Sequence, residues 1–212
     1  HTASGYGALE NKMRQSIGES SISAYETYPS VDDERTKAFE QLLEKGYLPC
    51  PPVEKEPASY FVDKFWLEKL KQSTQTKQGN HWYTYLQLGV VEYALGDFES
   101  AQASWEKSVS LTENVWALRN LAALYRNEYK NDEKALYYQQ KVYARKEAFD
   151  CLALVKEYAS WLTSMGNDKK WIETYYTLSQ EMQNNGRLQV YLAIAYLHVG
   201  NAEKASTIIT PD

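Results

Sequence analysis

The sequence predicts an all-α chain, built over most of its length from stacked helix-turn-helix units. Two observations carry that prediction. A short polar turn returns four times at near-constant spacing, and apolar residues recur at helical spacing on both sides of each return. The turns are "LGDFESA" ending at Ala101, "YKNDEKA" ending at Ala135, "MGNDKKW" ending at Trp171 and "VGNAEKA" ending at Ala205, with spacings of 34, 36 and 34 residues. Recurrence in that range marks supersecondary units stacked on their neighbours, since one such unit cannot bury its own apolar face.

The elements follow in order. Residues 1 to 29 show no sustained period; "GYGALENKMRQSI" can hold a short helix and "GESSISAYETYPS" reads as polar loop. Ser30 followed by Asp32, Asp33 and Glu34 is the pattern of an N-cap with acids in the first turn, so a helix is expected to open there. Phe39, Leu42 and Leu43 give it an apolar face, and Gly46 stands where a left-handed residue ends a helix. Next comes "LPCPPVEKEPAS", with four of the six prolines between Pro49 and Pro57. Proline fixes φ and donates no backbone N–H, so this is an extended connector. "YFVDKFWLEKLKQ" then resumes helical spacing, with Phe61 and Phe65 one turn apart and Trp66 and Leu70 beside them. The polar run "QSTQTKQGN" separates it from the repeats, which gives a boundary between a helical and linker segment, 1–79, and a repeat region, 80–212.

Inside the repeats each turn position has a physical reason. Gly96, Gly166 and Gly200 lie at helix ends, where positive φ favours a residue without Cβ. Lys130 takes that place in the second turn, followed by Asn131, and "RNEYKND" is one residue longer than its counterparts, so this turn must close differently. Ala101, Ala135 and Ala205 mark where the second helix presses on the first. Trp171 breaks that rule, which leaves two outcomes open: a third pair that splays, or one that is rotated.

These positions resemble the tetratricopeptide repeat, whose signature is a Leu-Gly/Ala pair, an aromatic, a Gly, a small residue and a second aromatic. Leu88, Gly89, Tyr93, Gly96, Ala101 and Trp105 match it, with the first aromatic shifted by one. Leu121, Ala122, Tyr125 and Ala135 form a second copy. Tyr158, Ala159, Leu162, Gly166 and Tyr175 form a degenerate third, and Leu192, Ala193, Tyr196, Gly200 and Ala205 a fourth that runs out of chain. The resemblance covers about residues 80–212 and implies a right-handed superhelix of about three and a half repeats. A narrower resemblance joins "SGYGALE", the Pro-rich connector and "NVWALRNLAALYRNE" to the C-terminal region of large bacterial proteins of unknown function. Those proteins carry an N-terminal β-sandwich similar to galactose mutarotase, followed by tetratricopeptide repeats. It implies that residues 1–10 are the tail of an upstream domain. The chain starts at His1 without Met and stops at Asp212 inside an unfinished repeat, so it is expected to be a piece of a larger protein.

Composition limits the function classes. Hydrophobic residues make up 43% and charged residues 24% of the 212, an ordinary soluble balance. No apolar run has the roughly 18 residues of a membrane span, and no signal-peptide core is present, so a cytoplasmic location is expected. A net charge of −5 argues against a nucleic-acid surface. Cys50 and Cys151, about a hundred positions apart, read as unpaired thiols in a reducing compartment, with a single long-range disulfide as the alternative. The 18 Tyr, 6 Trp and 5 Phe read as helix-contact filling rather than a sugar-stacking surface.

The inventory for catalysis is thin. His1, His81 and His198 are scattered, without a His-x-x-x-His or Cys-x-x-Cys partner, so no metal site is expected. Phosphate-loop patterns are missing, and Ser160, Ser164 and Ser179 have no histidine neighbour in sequence. No cofactor and no enzymatic role is expected. Tetratricopeptide geometry implies instead that first helices line a concave groove. Carried onto this chain, it places Tyr83, Leu86, Val90, Trp116, Arg119, Asn120, Arg126, Asn127 and Lys156 near that groove. Trp supplies contact area and Arg a bidentate fork for carboxylates, so the groove suits a protein or peptide partner. The alternative is that Trp116 packs between repeats and the arginines form a solvated face. Leu86, Val90 and Glu157 stand where a chaperone-carboxylate clamp would need Lys and Asn, which disfavours a cochaperone.

The functional expectation is a non-catalytic interaction or scaffolding module of a larger bacterial protein. Its rivals are an accessory region that buttresses a carbohydrate-active β-sandwich, and a self-association module working through the truncated C-terminal repeat.

Overall fold

The computed structural model describes residues 5–21 and 34–209, and these are all-α: helices joined by turns, with no strand among the described residues. The chain divides into two compact units, His1–Val142 and Tyr143–Asp212.

The first unit begins with α1 (Gly5–Ser16), α2 (Glu34–Lys45) and α3 (Lys64–Thr74). Leu9, Phe39 and Leu42 are almost wholly buried where α1 packs on α2, and Lys12 Nζ bridges to Glu40 at 2.8 Å and Glu44 at 3.3 Å across the same contact. Gly46 ends α2 with φ of 78°. The Ser30 cap and the acids Asp32 and Asp33 lie outside the described residues. Asp63 opens α3, its Oδ1 accepting from the Trp66 N–H at 3.1 Å. Phe61 therefore precedes the helix rather than sharing its face with Phe65, and it packs edge-on against Phe39 with centroids 4.5 Å apart.

α3 packs on α4 (Trp82–Ala94), so residues on both sides of Asn80 belong to one unit. α4 forms a close hairpin with α5 (Phe98–Leu111), and α5 packs in turn on α6 (Val115–Asn127). Close approach of α4 and α5 rests on Gly89. A Cβ there would lie 2.5 Å from Trp105 Nε1, far inside contact distance, so only glycine lets the indole lie flat against α4. The same indole donates to the Leu86 carbonyl at 3.1 Å. Ala101 is fully buried. Deeper in the pair, Ser104 Oγ donates to Glu92 Oε2 at 2.6 Å and Ser108 Oγ to the Trp82 carbonyl at 2.8 Å, so both hydroxyls are paired.

Three of the four turns close by one chemistry. After α4, Gly96 takes φ of 84° and the Asp97 N–H reaches the Glu92 carbonyl five residues back at 2.9 Å. The Asn167–Leu162 and Asn201–Tyr196 bonds, both 2.8 Å, repeat it. The longer second turn, between α6 and α7 (Asp132–Tyr143), does differ: Lys130 is the one non-glycine with positive φ among the described residues, at 50°, and the Asn131 N–H reaches six residues back to Tyr125. Tyr125 and Tyr138 then stack between α6 and α7, centroids 5.5 Å apart. Burial, with Glu106 adding, pushes the Tyr138 phenol up to about 12.

The second unit holds a 3-10 turn (Lys146–Phe149), α8 (Leu152–Ser164), α9 (Asp168–Tyr175), α10 (Gln180–Gln183), α11 (Gly186–His198) and α12 (Ala202–Ile209). Trp171 is fully buried at its centre, among Tyr158, Leu162, Leu188, Leu192 and Tyr196. α9 packs on both α8 and α11, more extensively on α11. Trp171 Nε1 has no hydrogen-bond partner.

Candidate functional site

The face expected to carry function belongs to α4 and α6, and each helix is held by its own start signal. His81 caps α4: its Nδ1 accepts from the Thr84 N–H at 3.4 Å. Asn114 caps α6, accepting from the Ala117 N–H at 2.8 Å.

Across this face runs the proline-rich connector, residues 48–59. It has no helix, and its one local turn is the bond from the Lys55 N–H to the Pro52 carbonyl at 3.1 Å. Three side chains hold it by main-chain oxygens. His81 Nε2 bonds the Leu48 carbonyl at 3.0 Å, Trp116 Nε1 donates to the Val53 carbonyl at 3.1 Å, and Gln87 Nε2 donates to the Ser59 carbonyl at 3.0 Å. The ends are pinned as well. Leu48 is fully buried, with its N–H on Ser73 Oγ at 3.4 Å, and Ser59 Oγ donates to the Arg35 carbonyl. Between the pins, Pro52, Glu54, Lys55 and Glu56 are exposed.

With its Nε2 hydrogen on Leu48 and its Nδ1 lone pair on Thr84, His81 is a neutral imidazole, and burial holds its pKa below the ordinary value. Burial also raises the Tyr83 phenol.

The expected groove residues distribute as follows. Tyr83, Leu86 and Trp116 are buried, at 4%, 3% and 8% exposure, and Val90 is half-buried. Arg119, Arg126 and Asn127 are exposed on α6 and Asn120 is half-buried; Arg119 Nη1 lies 3.4 Å from Asn120 Oδ1, while Arg126 Nη2 donates to Gln139 Oε1 on α7. Lys156 is half-buried on α8, in the second unit. The residues grouped on the first unit's face thus divide into a buried aromatic-aliphatic set and an exposed basic and amide edge.

Three contributors escape a reading by residue type. Gln87 sits in the apolar run "WYTYLQLGVV", and an amide inside such a run signals a buried partner. His81 occupies a capping position usually filled by Ser, Thr, Asp or Asn. Val53 contributes only a carbonyl, which leaves no mark in sequence.

Other chemistry is sparse. The described residues contain no group of three or more His, Cys, Asp or Glu side chains placed to hold a metal ion. His198 Nδ1 lies 3.0 Å from Asp168 Oδ1, linking the end of α11 to the start of α9. Cys50 and Cys151 are free thiols, one exposed and one buried. No described helix is long and apolar enough to cross a membrane. Compared with known proteins, the chain matches no protein-family model, no curated protein and no solved structure.

Proposed function

We propose that the chain is a non-catalytic protein–protein interaction module of a larger bacterial protein, its repeats arranged as a tetratricopeptide-like right-handed superhelix. The face of α4 and α6 holds a partner segment in extended form. One observation carries this reading. Side chains from three points on that face, His81, Gln87 and Trp116, already grip a helix-free stretch of polypeptide by its carbonyls. Gripping main-chain oxygens is how a surface binds extended peptide, with neighbouring pockets supplying side-chain preference. The exposed edge of Arg119, Arg126 and Asn127 adds donors for an acidic or polar flank. The repeated turn chemistry at Gly96, Gly166 and Gly200 supports the repeat architecture, and the two free thiols fit a reducing, cytoplasmic setting.

The test is site-specific photo-crosslinking in the cells that make the protein. A benzophenone side chain at Arg119 or Asn127 is expected to give a discrete protein adduct. The same group at Lys107, exposed on α5, should give none. Equal labelling from the two faces, or no adduct from α6, would remove this assignment.

A further inference from the structure

We infer that the exposed face of α11 is a second docking site, which takes an extended peptide with apolar side chains at alternate positions and an acidic residue beside Arg187. The site rests on the interaction-module reading above and belongs to a different helix from the α4–α6 face.

The turns set α4, α8 and α11 in one register. The Asp97 N–H bonds the Glu92 carbonyl, Asn167 bonds Leu162 and Asn201 bonds Tyr196, so Leu86, Lys156 and Val190 are equivalent positions. One face of each helix follows from that match. It carries Leu86, Gln87, Val90 and Tyr93 on α4, Lys156, Glu157, Ser160 and Thr163 on α8, and Val190, Tyr191, Ile194 and Leu197 on α11. On α8 the face has the polar make-up of a surface kept in water. On α4 it is mostly apolar and it is covered: Leu86 is 3% exposed, and Gln87 Nε2 donates to the Ser59 carbonyl of the extended connector. On α11 it is apolar and open, with Val190 44% and Leu197 53% exposed. Within this chain an apolar face at this register goes with an extended segment laid over it, and α11 has the same face uncovered among the described residues.

Two donors complete the face. Arg187, one turn before Tyr191, is exposed; its guanidinium lies 5.4 Å over the Tyr191 ring and makes no ion pair among the described residues. Its planar fork suits a carboxylate, which sets the acidic residue of the peptide at the start of α11. Tyr191 stands at the Gln87 position, half-buried against the core of the second unit. Its hydroxyl has no hydrogen-bond partner among the described residues, so it is a donor for a main-chain carbonyl, as Gln87 is on α4. Val190, Ile194 and Leu197 recur at about one helical turn, 5.4 Å, close to the roughly 6.6 Å between alternate side chains of an extended strand. A strand with apolar alternate residues thus offers about one of them to each turn of α11, while the residues between them stay in water.

A displayed library of random decapeptides, panned against the chain, supplies the probe; the strongest binder is synthesised with a fluorophore and followed by anisotropy. It is expected to carry an acidic residue and apolar residues at alternate positions. Arg187→Glu and Val190→Asp, both at exposed positions, should each weaken its binding at least about tenfold, and Lys107→Glu on α5 should leave it unchanged. Exchanging the acid of the peptide for Lys should restore binding to the Arg187→Glu protein, which a merely misfolded variant would not allow. A library without a binder, apolar residues at the three- and four-residue spacing of a helix, or binding indifferent to both α11 variants overturns the inference. Loss of binding with Arg119→Glu but with neither α11 variant also overturns it, and leaves the interaction-module reading standing, because the peptide then sits on α6. Light scattering that finds a dimer broken by Val190→Asp would give the face to a second copy of this chain and overturn the peptide.

Discussion

The first hairpin, α4–α5, and the third, α8–α9, use the same turn and pack differently. Gly96 and Gly166 both take positive φ, and Asp97 and Asn167 both bond five residues back. In the first hairpin the large residue is Trp105, fitted over Gly89, and Ala101 leaves room at the turn. In the third, position 159 is Ala, so the close approach over Gly89 is lost, and Trp171 fills the place of Ala101. α8 and α9 make a less extensive contact than α4 and α5, and α9 packs more on α11. Its capping changes too: Asp97 caps α5, whereas Asn167 makes no side-chain cap bond and the neighbouring Asp168 pairs with His198. A turn motif sets where a chain reverses; the distribution of small and large side chains sets whether the two helices then close.

The sharpest way to break that comparison is at the indole buried at the centre of the second unit. Trp171→Ala should destabilise the second unit by about 3–5 kcal/mol, the range for removing a large buried aromatic. Trp171→Phe should cost far less than the Ala change, because it discards an indole N–H that has no partner while keeping most of the volume. Urea unfolding of all three proteins, followed by the amide protection of α11, checks this. A Phe variant as weak as the Ala variant would show that the indole N–H is satisfied after all.

The first hairpin offers the converse change. Gly89→Ala improves helix propensity by about 1 kcal/mol, yet its Cβ would collide with the Trp105 ring, so a net loss of about 1–3 kcal/mol is expected. Trp105→Leu should cost stability in the native background and much less in Gly89→Ala, since the collision is gone. At the matching position of the third hairpin, Ala159→Gly should lose about 1 kcal/mol with no such coupling. A double-mutant cycle in denaturant measures both.

Buried Glu92 separates the two hairpins by pH. Burial raises its carboxyl above the ordinary value, so the folded state holds the proton more tightly than the unfolded chain. The fold then gains stability as pH falls through that raised value and loses it as pH rises from about 4.5. Glu92→Gln keeps an acceptor for Ser104 and removes the charge. It should raise the melting temperature at neutral pH and flatten that slope. The matching residue of the third hairpin is Leu162, so the second unit should show no such dependence from this position.

What was legible in the sequence follows from which interactions leave a mark on residue type. The turns did, because positive φ selects Gly at three of them; at the fourth, the extra residue before Asn131 announced a wider closure, and it reaches six residues back. That the third pair packs differently was visible as Trp171 in place of Ala, though not how. Phe61 was read as helical because its spacing to Phe65 suits a helix, when Asp63 already marked the start two residues later. The connector was legible as extended from its prolines, but its destination was not. Docking runs through the carbonyls of Leu48, Val53 and Ser59, and every residue has one. Tyr83, Leu86 and Trp116 lie on α4 and α6; how deeply they are buried depends on what lies over them, which helical periodicity does not encode.

The smallest effect concerns how each hairpin's first helix begins. α4 starts at His81, whose ring both caps the helix and holds the connector at Leu48; α8 starts at Cys151, which makes no side-chain cap bond. Lowered by burial, the His81 pKa is below that of the unfolded chain, so the folded state binds fewer protons between that lowered value and about 6.5. Stability from this group is complete above about 6.5 and is lost progressively as pH falls through that window. Protonation puts a hydrogen on Nδ1, opposite the Thr84 N–H, so the cap fails first and the Leu48 bond survives. His81→Asn keeps a capping acceptor without a titration in this range, and should hold the exchange protection of the Thr84 amide constant, after correction for intrinsic rates, from pH 7.5 to 5.5 while the native protein loses it. Protection at the first turn of α8 should not follow His81 in either protein. Native Thr84 protection that stays level over that interval would mean the imidazole is capping nothing.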